Sequence, residues 1–132
     1  MKNKILLFAL VLCMGIITTG VFASSQVYSI TVDIPKFSKP YTSSQVSKNY
    51  ATDQKVYHIG TISNHDGSYS NIKARLYNVD YNSYSSWVEF GTGDNHTYSG
   101  AYSNTGNYKI QVKNATWAIY NYYSCSNWQY SI

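Results

Sequence analysis

The segment Asn107-Tyr108-Lys109-Ile110-Gln111-Val112-Lys113 alternates between apolar and polar side chains along its whole length. Successive side chains of a β-strand point to opposite faces of the sheet. The pattern therefore predicts a strand with one apolar face and one cationic face. We expect a turn at 114–116, a second strand over 117–123 that pairs with the first, and a short final strand from Asn127 to Ile132.

The composition of residues 24–132 favours an all-β fold. This part of the chain has one leucine and no methionine, whereas it contains all 15 Tyr and all 3 Trp residues. Aromatic and β-branched residues suit a pleated, half-buried surface, and strong helix formers are scarce. We expect one domain over 24–132, a small antiparallel β-sandwich of about eight short strands, with a closed barrel as the alternative.

Further strands follow from the same alternation. We predict them at Gln26–Ile34, Lys55–Ile62, Tyr69–Val79, Ser86–Phe90 and, more weakly, Thr97–Tyr102. The segment Lys36–Gln54 lacks a regular pattern and is rich in Ser, Thr and Lys. It predicts a long connection or a ragged edge strand, and such connections are often functional.

Residues 1–23 have the three parts of a secretory signal peptide. Lys2 and Lys4 give a positive start, an apolar run covers 5–17, and Val21-Phe22-Ala23 supplies small residues for cleavage. The apolar run is short for a membrane-spanning helix. We therefore predict a signal peptide over 1–23 and a secreted, extracellular protein.

Charge and cysteine content narrow the classes of partner. Residues 24–132 hold eight Lys and Arg residues against six acids, and no run of basic residues occurs, so we expect no nucleic-acid binding. Cys125 is the single cysteine after the predicted signal, which excludes an internal disulfide there. Its aromatic neighbours favour burial, and we expect a monomer.

The titratable residues give no positive indication of an enzyme. His58, His65 and His96 have no recognised zinc-ligand spacing, although the turns that carry His65 and His96 could meet in space. Glu89 is the single glutamate, and Cys125 lies in no nucleophile motif. We expect a non-enzymatic protein with no metal and no cofactor.

The strongest functional signal is the abundance of tyrosine in polar, turn-rich segments. Tyr presents a rigid ring with a polar tip, which suits a glycan or a protein at a cell surface. The alternative is that the rings cover a sheet face and pair across strands. The candidate ligand-binding residues are Tyr81, Tyr84, Trp87, Tyr98, Tyr102, Tyr120 and Tyr122.

A second functional class is also consistent with the sequence. Strands rich in Ser, Thr, Asn and Tyr can assemble into a membrane barrel, and a hairpin over Thr97–Tyr108 would suit that purpose. The alternative prediction is therefore a small secreted antibacterial or membrane-active, pore-forming toxin. A membrane is expected as a partner under this alternative alone.

Overall fold

The computed structural model describes residues 24–132, which form ten β-strands and one short 3₁₀ turn at Gly100–Tyr102. The strands are β1 Ser25–Ile34, β2 Tyr41–Thr42, β3 Val46–Lys48, β4 Gln54–Ser63, β5 Ile72–Asn78, β6 Ser83–Tyr84, β7 Val88–Phe90, β8 Asn95–Tyr98, β9 Gly106–Asn114 and β10 Tyr122–Ser131. The predicted signal peptide lies outside the described residues. Across 24–132, no helix has the length and apolar character needed to cross a bilayer.

The strands form two antiparallel sheets. The four-stranded sheet has the order β1-β10-β4-β8. The six-stranded sheet is built on β9 and β5, with β2 and β3 against β9, and β6 and β7 against β5. The predicted small antiparallel β-sandwich is therefore confirmed. Its strands number ten because three short ones are added: Lys36–Gln54, predicted as a long connection or a ragged edge strand, contributes β2 and β3, and β6 follows the turn after β5. The two strands predicted at 117–123 and 127–132 are replaced by the single strand β10.

The core lies between the inner faces of the two sheets. In β9, Tyr108, Ile110 and Val112 are fully buried, which confirms the predicted alternation. Leu76 of β5 lies beside Ile110 in register and is equally buried. The remaining fully buried apolar residues include Ile34, Val56, Ile72, Ala74 and Trp128. Each large apolar side chain buried in this way stabilises the fold by about 1.5 to 3 kcal/mol.

The largest buried side chain has its polar group satisfied. Trp128 donates its indole N–H to Gln54 Oε1 at 3.0 Å, and Gln54 Nε2 donates to the Tyr102 carbonyl at 2.6 Å. Buried indole groups need such a partner because water cannot reach them. The chain of contacts fixes the 3₁₀ turn against one end of the core.

The other end of the four-stranded sheet has a polar interior. His58 is buried between two hydroxyls, with Nδ1 2.9 Å from Ser126 Oγ and Nε2 2.8 Å from Thr61 Oγ1. The apolar Ile59 and Ile62 of the same strand face outward. A register shift between Cys125 and Ser126 accompanies this inversion, as bulges re-aim side chains.

The prediction that 107–113 pairs with a strand over 117–123 is wrong. Residues 115–121 form a loop, β10 begins at Tyr122 and continues to Ser131, and β9 and β10 belong to different sheets. The apolar residues of the loop suggested a strand. They lack the polar alternation of a half-buried strand, and Trp117 and Ile119 are exposed instead.

The segment Thr97–Tyr108 does not form a hairpin in this structure, and the membrane hairpin considered for it under the toxin alternative stays a prediction. β8 ends at Tyr98, and Gly100, at φ +63°, opens the 3₁₀ turn that leads to the other sheet. β8 pairs with β4, whereas β9 pairs with strands of the six-stranded sheet. The segment thus crosses from one sheet to the other, and β8 and β9 do not pair with each other.

Cys125 lies on the outer face of the four-stranded sheet rather than in the core. It is a half-buried free thiol, with Sγ 3.7 Å from Thr31 Oγ1 and Gly60 opposite in register. The alternation of β10 turns Ser124 and Ser126 inward, so Cys125 between them must point outward. The expectation of core burial is therefore wrong.

Candidate functional site

The outer face of the six-stranded sheet combines cations with aromatic rings. In β5 the outward residues are Lys73, Arg75 and Tyr77, which alternate with the buried core residues. In β9 they are Lys109, Gln111 and Lys113. The two rows lie side by side, in register as Lys73 with Lys113, Arg75 with Gln111 and Tyr77 with Lys109. With Tyr84 and Trp87 they form what we call the cationic aromatic face.

Arg75 is at the centre of this face. Its guanidinium carbon lies 4.0 Å from the centre of the Tyr84 ring and 4.4 Å from that of Trp87. Its Nε donates to Gln111 Oε1 at 2.8 Å. These contacts already restrict the rotamers of Arg75, so less side-chain entropy is lost when it binds a ligand. The arginine is therefore preorganised.

Two further contacts extend the cluster on either side. Lys113 Nζ lies 4.5 Å from the centre of the Trp87 ring. The rings of Tyr77 and Tyr84 are stacked, with centroids 4.4 Å apart and an interplanar angle of 18°, and β5 pairs with β6 at these two residues. Cation–π contacts of this kind contribute about 0.5 to 1 kcal/mol at exposed sites. These contacts restrict the positions of the Arg75 and Lys113 side chains.

The charge of the face is strongly positive. Lys73, Arg75, Lys109 and Lys113 lie on its two central strands. Glu89 of β7 lies in register with Lys73 and accepts a hydrogen bond from Asn71 Nδ2 at 2.9 Å. Lys73 and Lys113 are directly opposed, which costs stability because like charges repel, and Glu89 on the other side of Lys73 offsets part of that cost. An anion bound between them would relieve that repulsion.

The seven predicted ligand-binding residues do not form one site. Tyr84 and Trp87 meet around Arg75, whereas Tyr81 is 74% exposed in the turn between β5 and β6. Tyr102 is half-buried against the core. Tyr120 and Tyr122 lie near the turn after β4, where Tyr120 stacks on His65 and the Tyr122 hydroxyl is 3.3 Å from Ser68 Oγ.

Tyr98 was predicted in the site and is instead part of the core. It is 4% exposed, and its hydroxyl donates to the Ala74 carbonyl at 3.1 Å. Burial raises the pKa of this phenol strongly. The polar sequence around Tyr98 suggested exposure. The alternation of the four-residue strand β8 decides otherwise, because it turns Tyr98 inward.

The alternation along the two strands is consistent with an outward position for Arg75, Tyr77 and Lys113, but these residues were not among the predicted site residues. A signal for them was present, since two strands each carry polar and cationic residues at every second position. Overlaying the two patterns would have required knowledge that β5 and β9 are neighbours. That pairing joins residues 30 to 42 positions apart in the sequence.

The structure groups no metal-ligating side chains within the described chain. Among residues 24–132, no three His, Cys, Asp or Glu side chains converge in a way that could hold a metal ion. His65 and His96 lie apart, because His96 pairs with Val56 near the start of β4 and His65 follows the end of that strand. His96 packs edge-on against Phe90 and Tyr98.

Comparison with known proteins finds a distant structural neighbour. No protein-family model and no curated protein sequence matches this chain. The crystal structure of the Yersinia pseudotuberculosis-derived mitogen is similar in structure, with a TM-score of 0.40 and 12% sequence identity. The alignment covers 84% of this chain and 87% of that chain.

Proposed function

We propose that this chain is a non-enzymatic binding protein that recognises an anionic glycan at a cell surface through the cationic aromatic face. The observation that carries the proposal is Arg75, held between the rings of Tyr84 and Trp87 while Lys113 contacts the same tryptophan. Of the two ligands expected from the sequence, a glycan or a protein at a cell surface, the proposal selects the glycan and specifies its charge.

The chemistry of the face suits carboxylate, sulfate or phosphate groups on a sugar. A guanidinium presents a planar fork of donors that matches such oxyanions, and a nearby ammonium adds a second positive charge. Gln111 takes the Nε donor, so the two amino groups of Arg75 keep the fork geometry. Tyr84, 45% exposed beside them, offers a ring edge and a hydroxyl to the sugar itself.

Preorganisation supports binding at this position. Long cationic side chains lose about 1.5 to 2 kcal/mol of rotamer entropy when they are fixed. Here the sheet and the aromatic contacts fix Arg75 and Lys113 before a ligand arrives. A ligand that neutralises the face also removes the repulsion between the opposed Lys73 and Lys113. Both effects favour an anion over a neutral sugar.

The test compares, by titration calorimetry, a sulfated heparin oligosaccharide with a desulfated, N-acetylated counterpart whose carboxylates are also reduced, so that the second sugar carries no charge. We expect the sulfated form to bind more tightly and its affinity to fall as salt is raised, because salt screens exposed charges. Arg75→Gln should weaken binding about tenfold or more. Arg75→Lys keeps the charge but not the fork, so it should recover part of the loss.

The chain offers a matched control for these variants. Lys55 lies on the outer face of the other sheet, with Nζ 5.0 Å from the centre of the Tyr57 ring. Lys55→Gln removes a cation from an equivalent cation–π pair outside the proposed site, and should change affinity by less than about twofold. Equal losses in the two Gln variants, or equal affinity for the sulfated and desulfated oligosaccharides, would overturn the proposal.

A further inference from the structure

Three segments meet at the end of the sandwich where β1, β4 and β9 finish. They are the loop at 35–40, the turn at 64–68 and the loop at 115–121. Their exposed apolar side chains are Phe37, Trp117, Ile119 and Tyr120, a group that we call the apolar tip.

Specific contacts hold the tip together. The Phe37 backbone N–H donates to the Ala118 carbonyl at 2.7 Å, and the Ser38 hydroxyl donates to the Thr116 carbonyl at 3.2 Å. The rings of Phe37 and Trp117 lie 5.3 Å apart. The tip is therefore one assembled surface, built from two loops that the sequence separates by about 80 residues.

A second set of contacts braces the tip against the turn at 64–68. Tyr120 stacks on His65 with ring centroids 3.9 Å apart and nearly parallel planes. Asn121 accepts hydrogen bonds from the backbone N–H groups of Lys36, through Oδ1, and of Asn64, through its carbonyl. These hydrogen bonds tie the first loop and the turn to the loop at 115–121, while the apolar side chains of the tip remain exposed.

The exposure of these side chains is large for their type. Trp117 is 67% exposed, Ile119 52% and Phe37 42%. The local backbone adds to the cost, since Phe37 and Ser38 are consecutive non-glycine residues at φ 62° and 53°. Each such residue costs of order 1 to 3 kcal/mol, and strain of this kind persists where a structure over-determines it. Here the strained turn places the Phe37 ring against Trp117.

The two loops of the tip are together cationic. Lys36 and Lys39 lie in the first loop, with Lys36 Nζ 5.1 Å from the centre of the Phe37 ring, and neither loop contains an acidic residue. Asp33 precedes the first loop by two residues, and its Oδ1 accepts the side-chain N–H of Asn64 Nδ2 at 2.8 Å. The other nearby carboxylate is Asp66 in the bracing turn. Asp66 Oδ1 accepts the Ser68 backbone N–H at 2.9 Å. This hydrogen bond lowers the pKa of the Asp66 carboxyl and orients the carboxylate toward its own turn.

We propose that the apolar tip inserts into the interfacial layer of a membrane that contains anionic lipid. Trp, Tyr and Phe are the residues that favour this layer, because their rings are amphipathic or apolar, and flanking lysines attract anionic headgroups. The apolar groups lie on loops at the end of the sandwich rather than in a groove, which fits insertion between headgroups. This proposal is independent of the glycan-binding face.

Vesicle co-sedimentation tests the proposal, with phosphatidylcholine vesicles prepared with and without phosphatidylglycerol. We expect binding to the anionic vesicles, weakened about tenfold or more by Trp117→Ala, since a tryptophan buries a large apolar area. Tyr81→Ala is the matched control, because Tyr81 is 74% exposed but lies in the β5–β6 turn, outside the tip. It should leave binding unchanged within about twofold.

Two further variants separate membrane insertion from folding. Phe37→Gly removes a tip ring and relieves the positive φ, so it should weaken vesicle binding while thermal stability is kept or raised. Trp117→Phe should retain most of the binding but abolish the blue shift of tryptophan fluorescence, because Trp128 is fully buried and Trp87 lies on another face.

Several results of the vesicle-binding measurements would contradict membrane insertion by the apolar tip. Absence of binding to both vesicles, or equal losses in Trp117→Ala and Tyr81→Ala, would assign the tip to a protein partner or to no partner. Binding that is unchanged by Lys36→Gln together with Lys39→Gln, but abolished by Lys55→Gln, would place the membrane contact elsewhere.

Discussion

Replacing the buried Asn114 by an apolar residue is expected to stabilise the protein. The Asn114 side chain is fully buried at the end of β9, beside Ile72 in register, and neither its Nδ2 nor its Oδ1 has a hydrogen-bond partner among the described residues. A buried polar group without a partner costs about 1 to 3 kcal/mol. Asn114→Leu keeps the branching at Cγ and removes both polar atoms. We expect the free energy of unfolding to rise by about 1 to 3 kcal/mol.

Asn78 provides the matched control at the opposite end of the same sheet. It is also buried, at 2% exposure, but its Oδ1 accepts the backbone N–H groups of Asp80 and Tyr81 at 3.1 and 3.2 Å. Asn78→Leu leaves two turn donors without their acceptor. The same chemical change should therefore lower the free energy of unfolding by about 1 to 3 kcal/mol or more.

Urea unfolding of the two variants and the parent gives the comparison. The midpoints should move in opposite directions at an unchanged slope, and melting temperatures should follow by about 4 to 8 °C per kcal/mol for a domain of this size. Ser124→Ala repeats the test without added volume, because Ser124 Oγ is buried and also lacks a partner. Loss of stability in both Asn114→Leu and Ser124→Ala would refute the reasoning.

Two other predictions concern the core. Ile110→Ala should lower the free energy of unfolding by about 2 to 5 kcal/mol, because Ile110 is fully buried between the sheets. Lys109→Ala, on the outer face, should change it by less than about 0.5 kcal/mol. Equal shifts of the two variants in thermal melts would contradict the assignment of faces. Burial lowers the pKa of His58 below its ordinary 6.5, against the opposing effect of Asp94. The unfolded chain therefore takes up the proton first, so stability present above about pH 6.5 should fall as the pH drops toward the folded-state pKa. Urea midpoints from about pH 7.5 to about pH 5.5 should show this slope in the parent and a flatter one in His58→Gln, and an identical slope would contradict the role of His58.

The sequence by itself determined the class of the fold and the faces of its strands. In 107–113 and 72–77 every second residue is apolar, and these residues are the ones buried in β9 and β5. This inference succeeds because the direction of a strand side chain depends on its immediate neighbours alone. The residues that alternate with them in both strands lie on the outer face for the same reason.

The tertiary structure alone decided which strands are neighbours. The placement of Arg75 between Tyr84 and Trp87 depends on β6 and β7 both pairing with β5. The apolar tip depends on a contact between Phe37 and the loop at 115–121. No local pattern encodes such pairings, since many registers satisfy the same alternation. The burial of Tyr98 and the exposure of Trp117 have the same origin, because each depends on what packs against the residue rather than on its sequence neighbours.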